Sequence, residues 1–192
     1  MKKRFLSLML AGILAFGGSC NVFAEEADTE LQTEEAAAVP EVNWEDVAPS
    51  VEQAAEWKGD FVNFDEIAIK MYVPDVLIPA ELTEEDKEAG YIGYFTTEDE
   101  TATASVMYVD VDGMSLDEYQ AYLEGEEDVD EVEAGIINGI PVVTYSMPEN
   151  DVACVSIATE RGYILEFSFY PMSDEGFEAV AQIMMVSIQA EE

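Results

Sequence analysis

The sequence predicts an α+β domain: a mostly antiparallel β-sheet sandwiched by helices. Three observations carry that reading. The last four strand-like runs are joined by tight turn signals, Asn138-Gly139, Pro148-Glu149-Asn150 and Arg161-Gly162. Such short connections force antiparallel neighbours, because a parallel return needs a long crossover. Helical patterns fall before, between and after runs of strands, which points to helices layered on a sheet. Residues 163–170 alternate with a period of two, and a final run of helical period follows them.

The elements follow in order. Trp44, Val47, Val51, Ala54 and Ala55 recur at helical spacing, with Asn43 in the N-cap position and Pro49 inside the run, where the helix kinks or begins. Residues 61–64 and 67–73 read as two strands joined at Asp65-Glu66, and Pro74 stops the second. Thr83-Glu84-Glu85-Asp86 reads as a capped helical turn. Residues 91–97 and 101–111 are strand-like, turning at Glu98-Asp99-Glu100. Ser115-Leu116-Asp117-Glu118 is a capping box, after which Leu116, Tyr119, Tyr122 and Leu123 form an amphipathic stripe.

After the acidic stretch 124–133 come the four hairpin-linked strands. In the last of them Tyr163, Leu165, Phe167 and Phe169 share the core face, while Ile164, Glu166, Ser168 and Tyr170 share the other. Ile164 and Tyr170 are too apolar for a wetted face, so this strand is expected to be central and covered on both sides. The closing helix runs from Asp174 to about Ile188, with Phe177, Val180, Ala181, Met184 and Ile188 as its apolar stripe.

This order of elements resembles the PsbP-like fold, shared by the photosystem PsbP proteins, the DcrB-like exported bacterial proteins and a Ran-binding nuclear import factor. The matching pieces are Ile69-Lys70-Met71-Tyr72-Val73-Pro74, the short helix from Ser115, Asn138-Gly139-Ile140-Pro141, the strand 163–170 and the ending Val186-Ser187-Ile188. The resemblance spans roughly residues 58–188. It implies a sandwich of helices on a sheet but no specific activity. Members bind their partners in unrelated ways, so no functional residue is carried over.

A leader is expected before the domain. Residues 1–24 (MKKRFLSLMLAGILAFGGSCNVFA) have the basic start, short apolar run and small-residue end of a signal peptide, with cleavage expected after Ala24. Lipidation at Cys20 is the rival reading, but Gly17-Gly18-Ser19-Cys20 lacks the large aliphatic residue three before the cysteine. Residues 25–40 hold six acids and no aromatic, the composition of a disordered acidic spacer. A single globular domain is then expected over 41–192. No later apolar run approaches the ~20 residues of a spanning helix, so no transmembrane helix is expected after cleavage, and the protein is expected to be secreted or associated with the cell surface.

Charge excludes more than it suggests. The 192 residues hold 43 Asp plus Glu against 7 Lys plus Arg, a formal charge of −36. Beyond residue 24 the bases are Lys58, Lys70, Lys87 and Arg161. Nothing basic is available to replace phosphate counterions, so no nucleic-acid partner is expected. Docking on anionic lipid is disfavoured on the same ground. The expected partner is another envelope or extracellular protein.

The chain contains no histidine, and the Gly-x-Ser-x-Gly, Ser-x-x-Lys, P-loop and dinucleotide-binding patterns are absent. No catalytic residue and no cofactor-binding residue is assigned, and the expectation is a non-enzymatic domain. Paired carboxylates could serve a hydrolase, but in so acidic a chain some pair always falls at a suitable separation. Cys154 lies in an alternating apolar run and reads as a small buried side chain, and Arg161 as a solvated turn residue. Weak calcium binding is the alternative function. Its candidate ligands are Asp110 and Asp112, with Glu126, Glu127, Asp128 and Asp130. An EF-hand is excluded, because setting Gly113 at the sixth loop position puts Tyr108 and Tyr119 where carboxylates are required.

Overall fold

A computed structural model describes residues 39–54, 57–64 and 67–191. The expected signal peptide, the Cys20 reading and all but the end of the expected acidic spacer lie outside the described residues, as do Ala55 and the expected Asp65-Glu66 turn. Eleven strands are described: β1 (Glu41–Val42), β2 (Gly59–Phe64), β3 (Ile69–Pro74), β4 (Ile78–Pro79), β5 (Tyr91–Thr96), β6 (Thr103–Asp110), β7 (Asp130–Ile137), β8 (Ile140–Met147), β9 (Val152–Ala158), β10 (Tyr163–Tyr170) and β11 (Gln189–Ala190). The helices are α1 (Trp44–Gln53), α2 (Glu84–Glu88), α3 (Leu116–Leu123) and α4 (Glu175–Val186).

Eight strands form one sheet in the order β1-β7-β8-β9-β10-β6-β5-β4. Every pairing in it is antiparallel except that of β1 with β7. β2, β3 and β11 form a second, separate antiparallel sheet, which the sequence reading did not distinguish from the first. The α+β class and the mostly antiparallel sheet are as expected.

The layers follow from which faces are apolar. Leu165, Phe167 and Phe169 of β10 point into the main core with Met184 and Ile188 from the C-terminal segment and Met71 of β3. On the opposite face Ile164 joins Val143, Tyr145 and Cys154 under Tyr119 and Leu123 of α3. β10 is thus covered on both faces. Tyr163 departs from its expected place: at the mouth of the strand it stays exposed, edge-on to Tyr108.

The stripe expected on α4 is buried, but Ile183 and Val186 are buried as well, because α1 packs Val47 and Val51 against that second side. A helix apolar nearly all round lies inside the molecule rather than on its surface. α1 contains Pro49 without ending there. Both expected capping boxes are present, Thr83 with Asp86 and Ser115 with Glu118. The strand β7 begins inside the acidic stretch, at Asp130, so only its first part is a loop.

Asn43 occupies the N-cap position of α1, but its side chain makes no capping bond. Asn138 supplies it instead. Its Oδ1 accepts the N–H of Trp44 at 2.6 Å, and its Nδ2 donates to the carbonyls of Val186 and Ile188 at 2.7 and 2.8 Å. Asn138 and Gly139 have φ of 49° and 77°, the left-handed pair that a two-residue hairpin requires. One turn residue therefore caps the start of α1 and ties down the end of α4.

Candidate functional site

An acid-rimmed groove of about 910 Å³ is built from three turns at one end of the large sheet. The first joins β3 to β4. Leu77 is buried beneath it, with its N–H donating to the Pro74 carbonyl at 2.9 Å, and the chain on either side turns Val76 and Ile78 outward. These two apolar side chains are 49% and 50% exposed, an arrangement that leaves apolar area in water.

The second turn joins β5 to β6. Asp99 Oδ1 accepts the hydroxyls of Thr97 and Thr101 at 2.8 and 2.7 Å, and Thr97 N–H donates to the Ala102 carbonyl at 3.0 Å. The Thr101 and Thr97 hydroxyls hold the Asp99 carboxyl below its ordinary range, so it stays ionised. The third element is the start of α4. Asp174 caps it, accepting the N–H of Phe177 at 2.8 Å. Asp151 accepts both the N–H and the hydroxyl of Ser173, at 2.8 and 2.6 Å, which anchors the preceding loop after the cis Tyr170–Pro171 bond.

The groove's walls are apolar: Val76, Ile78, Ala102, Pro171, Phe177 and Val180. Its remaining lining includes the acids Asp75, Glu98, Asp99 and Asp174, and no Lys or Arg. Among the described residues the ion pair between Lys87 and Glu84 sits on α2, and neither residue lines the groove. Nothing in the sequence reading singled out this groove. The one local signal is the run Asp75-Val76-Leu77-Ile78 following Pro74, which is too apolar for a loop.

A second polar cluster is sealed inside. Glu166 of β10 is only 8% exposed, on the face beneath α3. Tyr119 donates its hydroxyl to Glu166 Oε2 at 3.2 Å, and Tyr145 donates to the same oxygen. Ser168 donates to Oε1 at 3.4 Å, and Cys154 lies 3.5 Å from the Ser168 hydroxyl. Among the described residues the hydrogen-bond donors to Glu166 are these hydroxyls, with no Lys or Arg in an ion pair with it. Burial, and then the nearby carboxyl group, push the Tyr119 hydroxyl well up. The Tyr145 hydroxyl also rises, chiefly through burial. The Cys154 thiol is pushed up to about 12, again chiefly by burial, so it stays protonated at neutral pH and is a packing side chain. Glu166 does not line the groove.

The calcium candidates are distributed over two places. Asp110 ends β6, and its Oδ1 accepts the N–H of Asp112 at 3.1 Å; Asp112 and Gly113 then take φ of 54° and 80°. Glu126, Glu127 and Asp128 are exposed in the loop after α3, and Asp130 opens β7, accepting the Glu131 N–H at 3.0 Å. Among the described residues no three His, Cys, Asp or Glu side chains gather closely enough to hold a metal ion. The Asp110 motif shapes a turn. Arg161 is exposed in its hairpin turn, as expected, and also lines a smaller cavity of about 440 Å³ with Ile67, Ile69, Ile157 and Leu165 among its walls. No described helix is long and apolar enough to cross a membrane.

No protein-family model and no curated protein matches the chain. Among solved structures it is similar to the solution structure of cyanobacterial PsbP (CyanoP) from Synechocystis sp. PCC 6803, which bears the name of the fold family that the element order resembles, with a TM-score of 0.46 and 12% identity over 71% of this chain and 94% of that one.

Proposed function

We propose that the chain is an exported, non-enzymatic binding or accessory domain, acting at the bacterial cell envelope or outside the cell. It works by holding a segment of another envelope or extracellular protein in the groove between the β3–β4 turn, the β5–β6 turn and the start of α4. The observation that carries this reading is the pair Val76 and Ile78, half in solvent above a buried Leu77. A turn that needed only to connect two strands would place polar residues there. The reading is supported by the leader-like residues 1–24 and by a sequence without histidine. It is supported too by the polar cluster beneath α3, where the Tyr119 and Tyr145 hydroxyls are taken up by Glu166.

Photo-crosslinking from position 78 tests it, using the full chain produced in its own cells. The expected product is a covalent adduct with one envelope or extracellular protein. The control position is Tyr122, 51% exposed on α3. Equal capture from both positions, or turnover of an envelope glycan by the purified chain, would overturn the proposal.

A further inference from the structure

We infer that the segment bound in the groove is basic and carries apolar side chains, a run of Lys or Arg interleaved with residues such as Leu. The inference rests on the groove being the binding site. The geometry divides the two kinds of contact. Val76, Ile78, Pro171, Phe177 and Val180 offer a surface that only apolar side chains can dry, while Asp75, Glu98, Asp99 and Asp174 stand around it. A lysine or arginine can lay its aliphatic stem on the first and its charged head against the second.

No Lys or Arg lines the groove, and among the described residues none of its carboxylates forms an ion pair. Two are already fixed in orientation, Asp99 by the Thr97 and Thr101 hydroxyls and Asp174 by the Phe177 N–H. Asp99 is moreover held ionised, so its charge is present throughout the neutral range. A second copy of this chain is a poor occupant. Beyond residue 24 it brings 43 acids and only Lys58, Lys70, Lys87 and Arg161 to a surface that is itself acidic, and like charges at close approach repel. Strand addition is a poor mode as well, because β4 is two residues long and Pro79 has no N–H to offer a further strand. Side-chain insertion by a cationic segment remains, and the acidic field of the whole chain also speeds its arrival.

The test uses the full ¹⁵N-labelled chain and a synthetic peptide of alternating lysine and leucine. Saturable binding is expected, with amide shifts concentrated at Val76, Ile78, Thr101 and Phe177. An all-lysine peptide and an alternating glutamate–leucine peptide should each bind at least about tenfold more weakly, since each loses one of the two contacts. Val76→Ser with Ile78→Ser, both at exposed positions, should weaken the lysine–leucine peptide about tenfold. Asp75→Asn with Glu98→Gln should weaken it severalfold at low salt and little at high salt, where the charges are screened. Shifts scattered over the whole acidic surface, or equal binding of the all-lysine or the glutamate–leucine peptide, would overturn the inference. A position-78 crosslink to a protein segment lacking Lys and Arg would sink this inference while leaving the binding role intact. Absence of any position-78 adduct would sink both.

Discussion

The ring of Phe64 in β2 meets the ring of Phe167 in β10 edge-on, with centroids 6.2 Å apart. This contact joins the small sheet to the large one. Phe95 stands edge-on to Phe64 from a third strand, at 6.5 Å. Room for the Phe64 ring depends on Gly93, where a Cβ would come within 2.8 Å of it.

Phe167 has no exposed surface, so its truncation leaves a void among three strands and α4. Phe167→Ala is expected to cost about 3–5 kcal/mol, measured as a fall in the denaturant midpoint. A loss below about 1 kcal/mol would place Phe167 on the wrong face.

Asn138 answers a different question, whether a turn residue can hold two helices. Asn138→Gly keeps the left-handed turn but removes three side-chain hydrogen bonds. A loss of about 2–4 kcal/mol is expected, combining a missing N-cap with carbonyls left unpaired. A near-neutral Asn138→Gly would show that the hairpin conformation alone matters.

Alkaline pH should expose the cluster around Glu166. The Tyr119, Tyr145 and Cys154 groups are all raised in the folded chain. A raised folded value means stability that is complete below the unfolded value and lost as pH climbs above it. The unfolded values are about 8.5 for cysteine and about 10 for tyrosine. Stability should therefore fall from about pH 9 upward. Two of the nine tyrosines should ionise, by ultraviolet absorbance, only as the chain unfolds. Tyr145→Phe with Tyr119→Phe should flatten that fall; an unchanged pH profile would contradict the assignment.

The acid limb has the opposite sign. The Ser115 N–H, and then its hydroxyl, hold the Glu118 carboxyl below its ordinary value. Its contribution is present above the unfolded value, about 4.3, and is lost as pH falls through the lower folded one. The stability gap between the unaltered chain and Glu118→Ala should accordingly narrow as pH drops from 6 to 3. A gap that widened would refute the capping role.

Calcium should act on this protein only as an electrolyte. The six candidate carboxylates are not gathered into a three-ligand group. Raising Ca²⁺ at constant ionic strength is expected to shift the melting point without saturation, and Mg²⁺ to do the same. A saturable rise with Ca²⁺ alone would indicate a specific site.

Local chemistry made much of this fold legible. Asn138-Gly139 and Arg161-Gly162 announce turns, the two capping boxes announce helix starts, and β10 alternates because Leu165, Phe167 and Phe169 enter the main core while Glu166 and Ser168 of its other face join a polar cluster. What stayed hidden depends on partners remote in sequence. β1, β4 and β11 are two residues each, below the length at which a period can be seen. That β2 and β3 form their own sheet follows from β11 pairing with β3, more than a hundred residues away. Glu166 sits among apolar residues on the second face of β10; a lone acid in such a run is the one signal that could have marked it. The groove is assembled from residues 75–78, 97–102 and 171–180, and no periodicity links three separate turns.

The clamp formed by Asn138 has a consequence for the order in which the molecule is assembled. The helix-capping contact it makes with Trp44 spans 94 residues of chain, and α1 packs on Ile183 and Val186, which lie further on still. Contacts that distant close late, whereas the hairpins from β7 to β10 can form among themselves. During synthesis α1 is made before the residues of α4 on which it packs. It should show less hydrogen-exchange protection than the hairpins β7 to β10, and a nascent chain arrested before residue 183 would lack the residues α1 packs on.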